Sequence, residues 1–145
     1  MIAPPDPDYE RKVRQSFAAQ GMMRTLGASL VDVSAGKCVI SAPIGPETGQ
    51  QHGFAHAGLA WSIGDSAAGY AALSLMQAGR EVLTSEMKIN LLAPARGLRL
   101  VAEGRVLRAG RRLIVVTSDI HSEDSDGARR HVATMLGTML PTDTT

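Results

Sequence analysis

The segment "QQHGFAHAGLAWSIGDSAAGYAA", Gln50 to Ala72, carries one charged side chain, Asp65, in a run dominated by Gly, Ala and apolar residues. Apolar character continues to Met76, and the pattern predicts a helix from Phe54 or Ala55 to Gln77, stopped by Gly79. Gly58, Ala60, Gly64, Ala67, Ala68 and Gly69 leave little side chain on several of its faces, so other backbone can approach closely. A helix that is apolar all round belongs inside a protein, enclosed by other elements. The competing reading of Phe54–Met76 is a membrane span, which takes roughly 20 apolar residues. Asp65 would then lie near the bilayer midplane at a cost of about 2.5–3.5 kcal/mol, and neither end has a basic flank. The buried-helix reading is the better one.

The rest of the chain supplies what encloses that helix. A length of 145 residues suits one domain over residues 1–145 with a single core. Residues 1–5 are expected to be disordered. Residues 6–20 are expected to form an N-terminal helix, with Asp6 as its cap, Pro7 at its first position and Gly21 as its stop. The β-branched stretch Ala28–Pro43 reads as a hairpin turning at "SAGK", and residues 44–53 as a loop. After the long helix only strand patterns follow. "TSEMKINLL" alternates polar Glu86, Lys88 and Asn90 with apolar Met87, Ile89 and Leu91, which places Thr84 on the polar side. "LRLVAEGRVLR" and "RRLIVVTSDIH" flank a two-residue turn at Ala109-Gly110, and a last strand from Arg129 stops at Pro141. The order predicts an α+β fold: an antiparallel, curved sheet, its last four strands a meander, wrapped around one long central helix.

Composition narrows the function. A net charge of +1 gives no electrostatic reason for nucleic acid or a membrane surface. Five aromatic residues are too few for a base-stacking platform. Cys38 is the sole cysteine, so no intrachain disulfide or cysteine-based metal spacing exists, in keeping with a reducing cytoplasm. The start of the chain has no apolar signal core behind a basic stretch. No metal or redox cofactor is implied.

Two features suggest chemistry. No Ser, Thr, Asp or Asn directly precedes the long helix, so the N–H groups around Ala57 and Gly58 lack an obvious side-chain acceptor. Such donors, at the positive end of a helix, suit an oxygen that gains negative charge; water or Gln50 and Gln51 could equally satisfy them. Asp65 lies nine residues beyond His56, on the opposite face of the helix and roughly 13–14 Å along its axis. The two cannot meet within one chain. One site holding both requires a second copy of the helix alongside the first, as in a two-fold dimer. Otherwise Asp65 is a buried carboxylate satisfied by its neighbours, and His56 a helix-start residue bonded to local backbone. Arg105, Arg108, Arg111 and Arg112 gather about one turn, either as a solvated turn that deters edge pairing or as a dock for a phosphorylated ligand. Glu86 is a second candidate carboxylate, and His121 and His131 read as strand residues without a chemical task.

Taken in order, "QQHGFAHAG", Asp65, "EMKINLLAPARG" and "GRVLRAGRRL" resemble the hotdog-fold acyl-CoA thioesterases of the PaaI type, over about Leu26 to Leu140. The resemblance implies a hotdog fold and a homodimer, with a dimer of dimers as the larger assembly. It implies hydrolysis of an acyl-CoA substrate to free acid and CoA. His56, Ala57 and Gly58 fall on the family's His-Gly-Gly, whose backbone N–H polarises the thioester carbonyl, and Asp65 on its catalytic carboxylate from the other subunit. Gln50 stands where many members have Asn, Thr84 where some have a Ser or Thr supporting the carboxylate, and the hairpin arginines near the CoA nucleotide. Ala57 for Gly and Gln50 for Asn are departures that bear on rate and substrate choice. A non-catalytic acyl-CoA-binding hotdog protein and an acyl-thioester hydratase or dehydratase are the other functions this resemblance leaves open.

Overall fold

The strands of a computed structural model, which describes residues 3–144, run antiparallel in one six-stranded sheet. Two short helices come first, α1 (Tyr9–Ala19) and α2 (Gly21–Thr25), then β1 (Ser29–Ser34) and β2 (Lys37–Pro43). Next are a 3-10 turn at Pro46–Thr48 and the central helix α3 (Ala57–Leu73). The chain closes with β3 (Arg80–Leu91), β4 (Arg99–Ala109), β5 (Ile114–Glu123) and β6 (Arg129–Asp143). Spatial order across the sheet is β1-β2-β4-β5-β6-β3. The expected hairpin is β1–β2, turning at Gly36 with φ 76°, a conformation that favours glycine.

The sheet wraps α3, which touches every strand. Ala67, Ala68, Ala71 and Ala72 are fully buried on the helix, and Gly104 of β4 lies directly over it. A Cβ on Gly104 would come within 2.5 Å of the Ala68 nitrogen and closer still to the Ala67 carbonyl. The small residues thus set the separation of helix and sheet. Larger core side chains fill the flanks, with Ile63 and Leu73 of α3 packed among Ile40, Leu100, Ile120 and Met135. Each such buried aliphatic contributes about 1.5–3 kcal/mol relative to exposure. Among the described residues, no helix is long and apolar enough to cross a membrane.

Several sequence expectations are corrected. Asp6 does not cap α1. Its carboxylate accepts the Asp8 N–H at 2.9 Å and lies 3.5 Å from Lys12 Nζ, so Asp6–Asp8 form a turn and the helix starts at Tyr9. Gly21 opens α2 rather than ending the N-terminal helical segment. The expectation for residues 1–5 falls partly on Met1 and Ile2, which lie outside the described residues; Ala3 to Pro5 adopt neither helix nor strand. The long helix is shorter at both ends than predicted, because His56 is extended at φ −63°, ψ 141° and the chain turns after Ser74.

The meander holds for β4, β5 and β6 only. β3 leaves its sequence neighbour β4 and pairs with β6 at the far edge. The turn after β4 spans residues 110–113, with Ala109 opposite Ile114 and the Gly110 N–H bonded to the Leu113 carbonyl. Pro141 does not end β6, which runs on to Asp143. Pairing with β5 ends at Met139, so only β3 flanks Pro141 and its missing N–H costs the ladder little.

Candidate active site

Local backbone chemistry places the first group of residues. His56 caps α3: its Nδ1 accepts the Gly58 N–H at 2.8 Å. Gly58 is therefore not the free donor expected from the sequence, and a histidine does what Ser or Asp usually does at a helix start. The Ala57 N–H, at the first helical position, has no intrahelical acceptor and lies at the positive end of the helix. It borders a cavity of about 580 Å³ whose wall includes Gln50, Phe54, His56 and Ala57 around the helix start, Leu91 at the end of β3 and Leu92 just after it. Gln50 bends back on its own turn, its Oε1 accepting the His52 N–H. Arg96 lies over the Phe54 ring, 4.3 Å from its centroid, and forms no ion pair among the described residues. Replacing His56 with Ala should cost about 0.5–2 kcal/mol of stability, the usual price of a lost cap, measurable by thermal unfolding.

The second group forms around Asp65. Thr84 donates its hydroxyl to Asp65 Oδ1 at 2.8 Å. This contact reverses the sequence expectation that Thr84 shares a face with Glu86. A β-bulge between Thr84 and Glu86 inserts Ser85, so Val82 and Thr84 point toward the helix before it and Met87 and Ile89 after it. Bulges re-aim side chains in this way. Glu86 is left on the outer face, where it accepts a hydrogen bond from Thr138 at 2.9 Å, away from Asp65. Burial pushes the Asp65 carboxyl above its ordinary pKa, and the Thr84 hydroxyl opposes that rise by stabilising the anion.

Ser16 of α1 and Gln20, at the α1–α2 junction, share a small cavity with Asp65. Neither was legible in the sequence, because Gln20 lies 45 positions before Asp65 and no local pattern links them. Gln50, His56 and Ala57 border one cavity, Asp65 and Thr84 another. Within one chain the two halves stay apart, as the helical geometry required.

The arginines divide. Arg105 pairs with Asp119 at 2.6 Å on the outer face of the sheet. Arg108, Arg111 and Arg112 line one concavity at the β4–β5 turn, and Arg111 also borders a hollow beside Leu75 and Met76, just past the C-terminal end of α3. His121 and His131 stack on the outer face with centroids 4.8 Å apart, and His131 Nε2 lies 3.3 Å from Asp119. Cys38 is buried, its thiol pushed up to about 12, chiefly by desolvation. Among the described residues, no cluster of three or more His, Cys, Asp or Glu side chains is placed to hold a metal ion.

Comparison with known proteins identifies the family. The sequence signature of the thioesterase superfamily matches residues 52–128, which include His56, Asp65 and Thr84. An esterase-named protein of Saccharolobus solfataricus is 34% identical over 109 residues, covering 75% of this chain and 76% of that protein. The structure is similar to a crystal structure of a thioesterase family protein from Silicibacter pomeroyi, with TM-score 0.90 and 42% identity over 94% of this chain and 99% of that one. The E. coli PaaI protein from the phenylacetic acid degradation operon shares the fold, with TM-score 0.83 and 20% identity over 97% and 98% of the two chains. With a helix wrapped by an antiparallel sheet and the signature spanning both halves of the candidate site, the chain belongs to the thioesterase superfamily and has its hotdog fold.

Proposed function

We propose that this protein is an acyl-CoA thioesterase whose active site is assembled from two copies of the chain. The observation that carries the reading is the position of β3. It is an edge strand of twelve residues, paired on one side with β6. Thr84, near its start, holds Asp65, and Leu91, at its end, lines the Ala57 cavity. The two positions are seven residues apart, roughly 23 Å along a strand. Pairing this edge antiparallel with its own copy, about a two-fold axis near Met87 and Lys88, sets Thr84 of one chain opposite Leu91 of the other. The carboxylate of one subunit then faces the helix start of its partner, and the open edge is closed.

The chemistry follows from that juxtaposition. The thioester carbonyl accepts the Ala57 N–H, whose helix dipole favours the oxyanion as it forms. The partner's Asp65, ionised and held by its threonine, takes a proton from water as the water oxygen attacks, or attacks the carbonyl carbon itself to give an anhydride that water then hydrolyses to the free acid. The C–S bond breaks, and the thiolate leaves and is protonated. With Gly58 capped by His56, Ala57 is the donor that remains, and its N–H does not depend on a glycine at that position.

The same two-fold would carry the turn bearing Arg108, Arg111 and Arg112 toward the partner's pocket mouth, where guanidinium groups match phosphates. Replacing Arg111 and Arg112 together by Ala is expected to raise KM for an acyl-CoA about tenfold. KM for the corresponding acyl-pantetheine, which lacks the nucleotide, should stay within twofold, and steady-state kinetics on the pair of substrates checks this. Function itself is tested by free-thiol release from a panel of short, medium, long and aryl acyl-CoAs. Turnover of at least one well above background supports the reading, and binding without turnover across the panel rejects it in favour of a non-catalytic binder.

A further inference from the structure

The small cavity beside Asp65, about 120 Å³ in volume, has an unusually polar wall for a space this close to the core. Ser16 reaches it from α1 and Gln20 from the α1–α2 junction, Asp65, Ser66 and Tyr70 from α3, and Glu81 and Thr84 from β3. Most of its polar groups are paired. Ser16 Oγ and the Tyr70 hydroxyl are 3.2 Å apart, Thr84 donates to Asp65, and Ser66 Oγ donates to Gln20 Oε1 at 3.1 Å. In that orientation the carbonyl end of the Gln20 amide is taken up by Ser66. The amide nitrogen is then left without an acceptor among the described residues. A space of this size and polarity has room for a few waters, and an N–H donor lining the same space as the Asp65 carboxylate can orient one of them.

We propose that Gln20 is a positioning residue for hydrolysis. Its amide N–H groups hold the reacting water against Asp65, so that the water oxygen is presented to the thioester carbon while its proton passes to the carboxylate. The inference rests on the thioesterase reading above and extends it. It assigns a task in the reaction to the junction of α1 and α2, which precedes the matched thioesterase segment, residues 52–128. Besides Asp65, the titratable groups facing the cavity are Tyr70 of α3 and Glu81 of β3; the N-terminal helices add no charge to its wall.

The test is thiol release by wild type, Gln20→Ala, Gln20→Glu and Asp65→Asn on the best acyl-CoA of the panel. Gln20→Glu retains an acceptor for Ser66 and removes the N–H donors but adds a like charge beside Asp65, so its kcat is read on the high-pH plateau, where Asp65 is ionised in both proteins and the loss reports the missing donors rather than support of the helix junction. Both Gln20 variants are expected to lower kcat about tenfold, the rate equivalent of one neutral hydrogen bond, with KM within twofold of wild type. Wild-type kcat in either variant, or a loss confined to KM, overturns the proposal. Should Gln20→Ala fail to fold, Gln20→Glu alone carries the test. A wild type with no turnover, matched by Asp65→Asn, would instead reject the thioesterase reading, so the two failures are distinguishable.

Discussion

Replacing Asp65 with Asn is expected to lower acyl-CoA hydrolysis at least about a hundredfold, the lower end of what a positioned general base supplies, and to leave the protein no less stable. Both halves follow from one environment. The Asn amide has nearly the shape of the carboxyl and its Oδ1 can still accept the Thr84 hydroxyl, so packing survives while the base is lost. Burial raises the carboxyl's pKa in the folded chain, which means that holding it ionised opposes folding. For an acid whose folded pKa is raised, the unfavourable contribution is absent below the unfolded value and grows as pH rises through the folded one. At neutral pH the Asn variant is relieved of it, and its Tm should equal or exceed that of wild type.

Activity has the opposite pH dependence, because catalysis needs the anion. The acid limb of kcat should lie above the ordinary aspartate range, with rate falling as pH drops through the raised pKa. Thr84→Val removes the hydroxyl that stabilises the anion and should move that limb further up. A residue kept at a cost to stability and needed for rate is what a functional carboxylate predicts.

The largest expected loss of stability comes from Gly104→Ala. The added Cβ would meet the Ala67 carbonyl and the Ala68 nitrogen, all main chain, with no flexible side chain to yield. Helix and sheet must separate instead, opening gaps around Ile63 and Leu73. Overpacking of this kind costs typically 1–3 kcal/mol, and with backbone as the obstacle about 3 kcal/mol is expected, a fall in Tm of roughly 6–12 °C. Gly45→Ala is the control. Its φ is −144° and a Cβ there meets nothing within 4 Å, so its Tm should stay within about 2 °C of wild type, the range of an ordinary surface change. Equal Tm values for the two variants would contradict the close-approach account of the core.

Much of this was legible in the sequence because it depends on local pattern. The Gly- and Ala-rich run from Gly58 to Ala72 read best as an enclosed helix once Asp65 counted against a membrane span, and alternation gave the strands that enclose it. The separation of His56 from Asp65 followed from helical geometry alone. The features that escaped have non-local or exceptional causes. Nothing in "LTSEM" marks the extra residue that turns Thr84 toward Asp65; the bulge shows only in register with β6. The exchange of β3 to the far edge is a matter of sheet order, which periodicity does not encode. His56 as a cap was hidden because histidine is an uncommon choice there, and its consequence, a Gly58 N–H already occupied, was hidden with it. The arginine cluster looked uniform in sequence, whereas Asp119, across the sheet on β5, takes Arg105 out of it.

If one site draws its amide from one subunit and its carboxylate from the other, a mixed dimer can restore what each parent lacks. Ala57→Pro deletes the N–H at a helical position that tolerates proline, and His56 before it already has the extended backbone that a proline demands. Each of the Ala57→Pro and Asp65→Asn homodimers should be inactive. Co-expressed with different tags and purified as the heterodimer, they should regain about half of wild-type turnover, since one of the two shared sites then holds both an intact amide and an intact carboxylate. A heterodimer as inactive as its parents would contradict the shared site and return Asp65 to a structural role within its own chain.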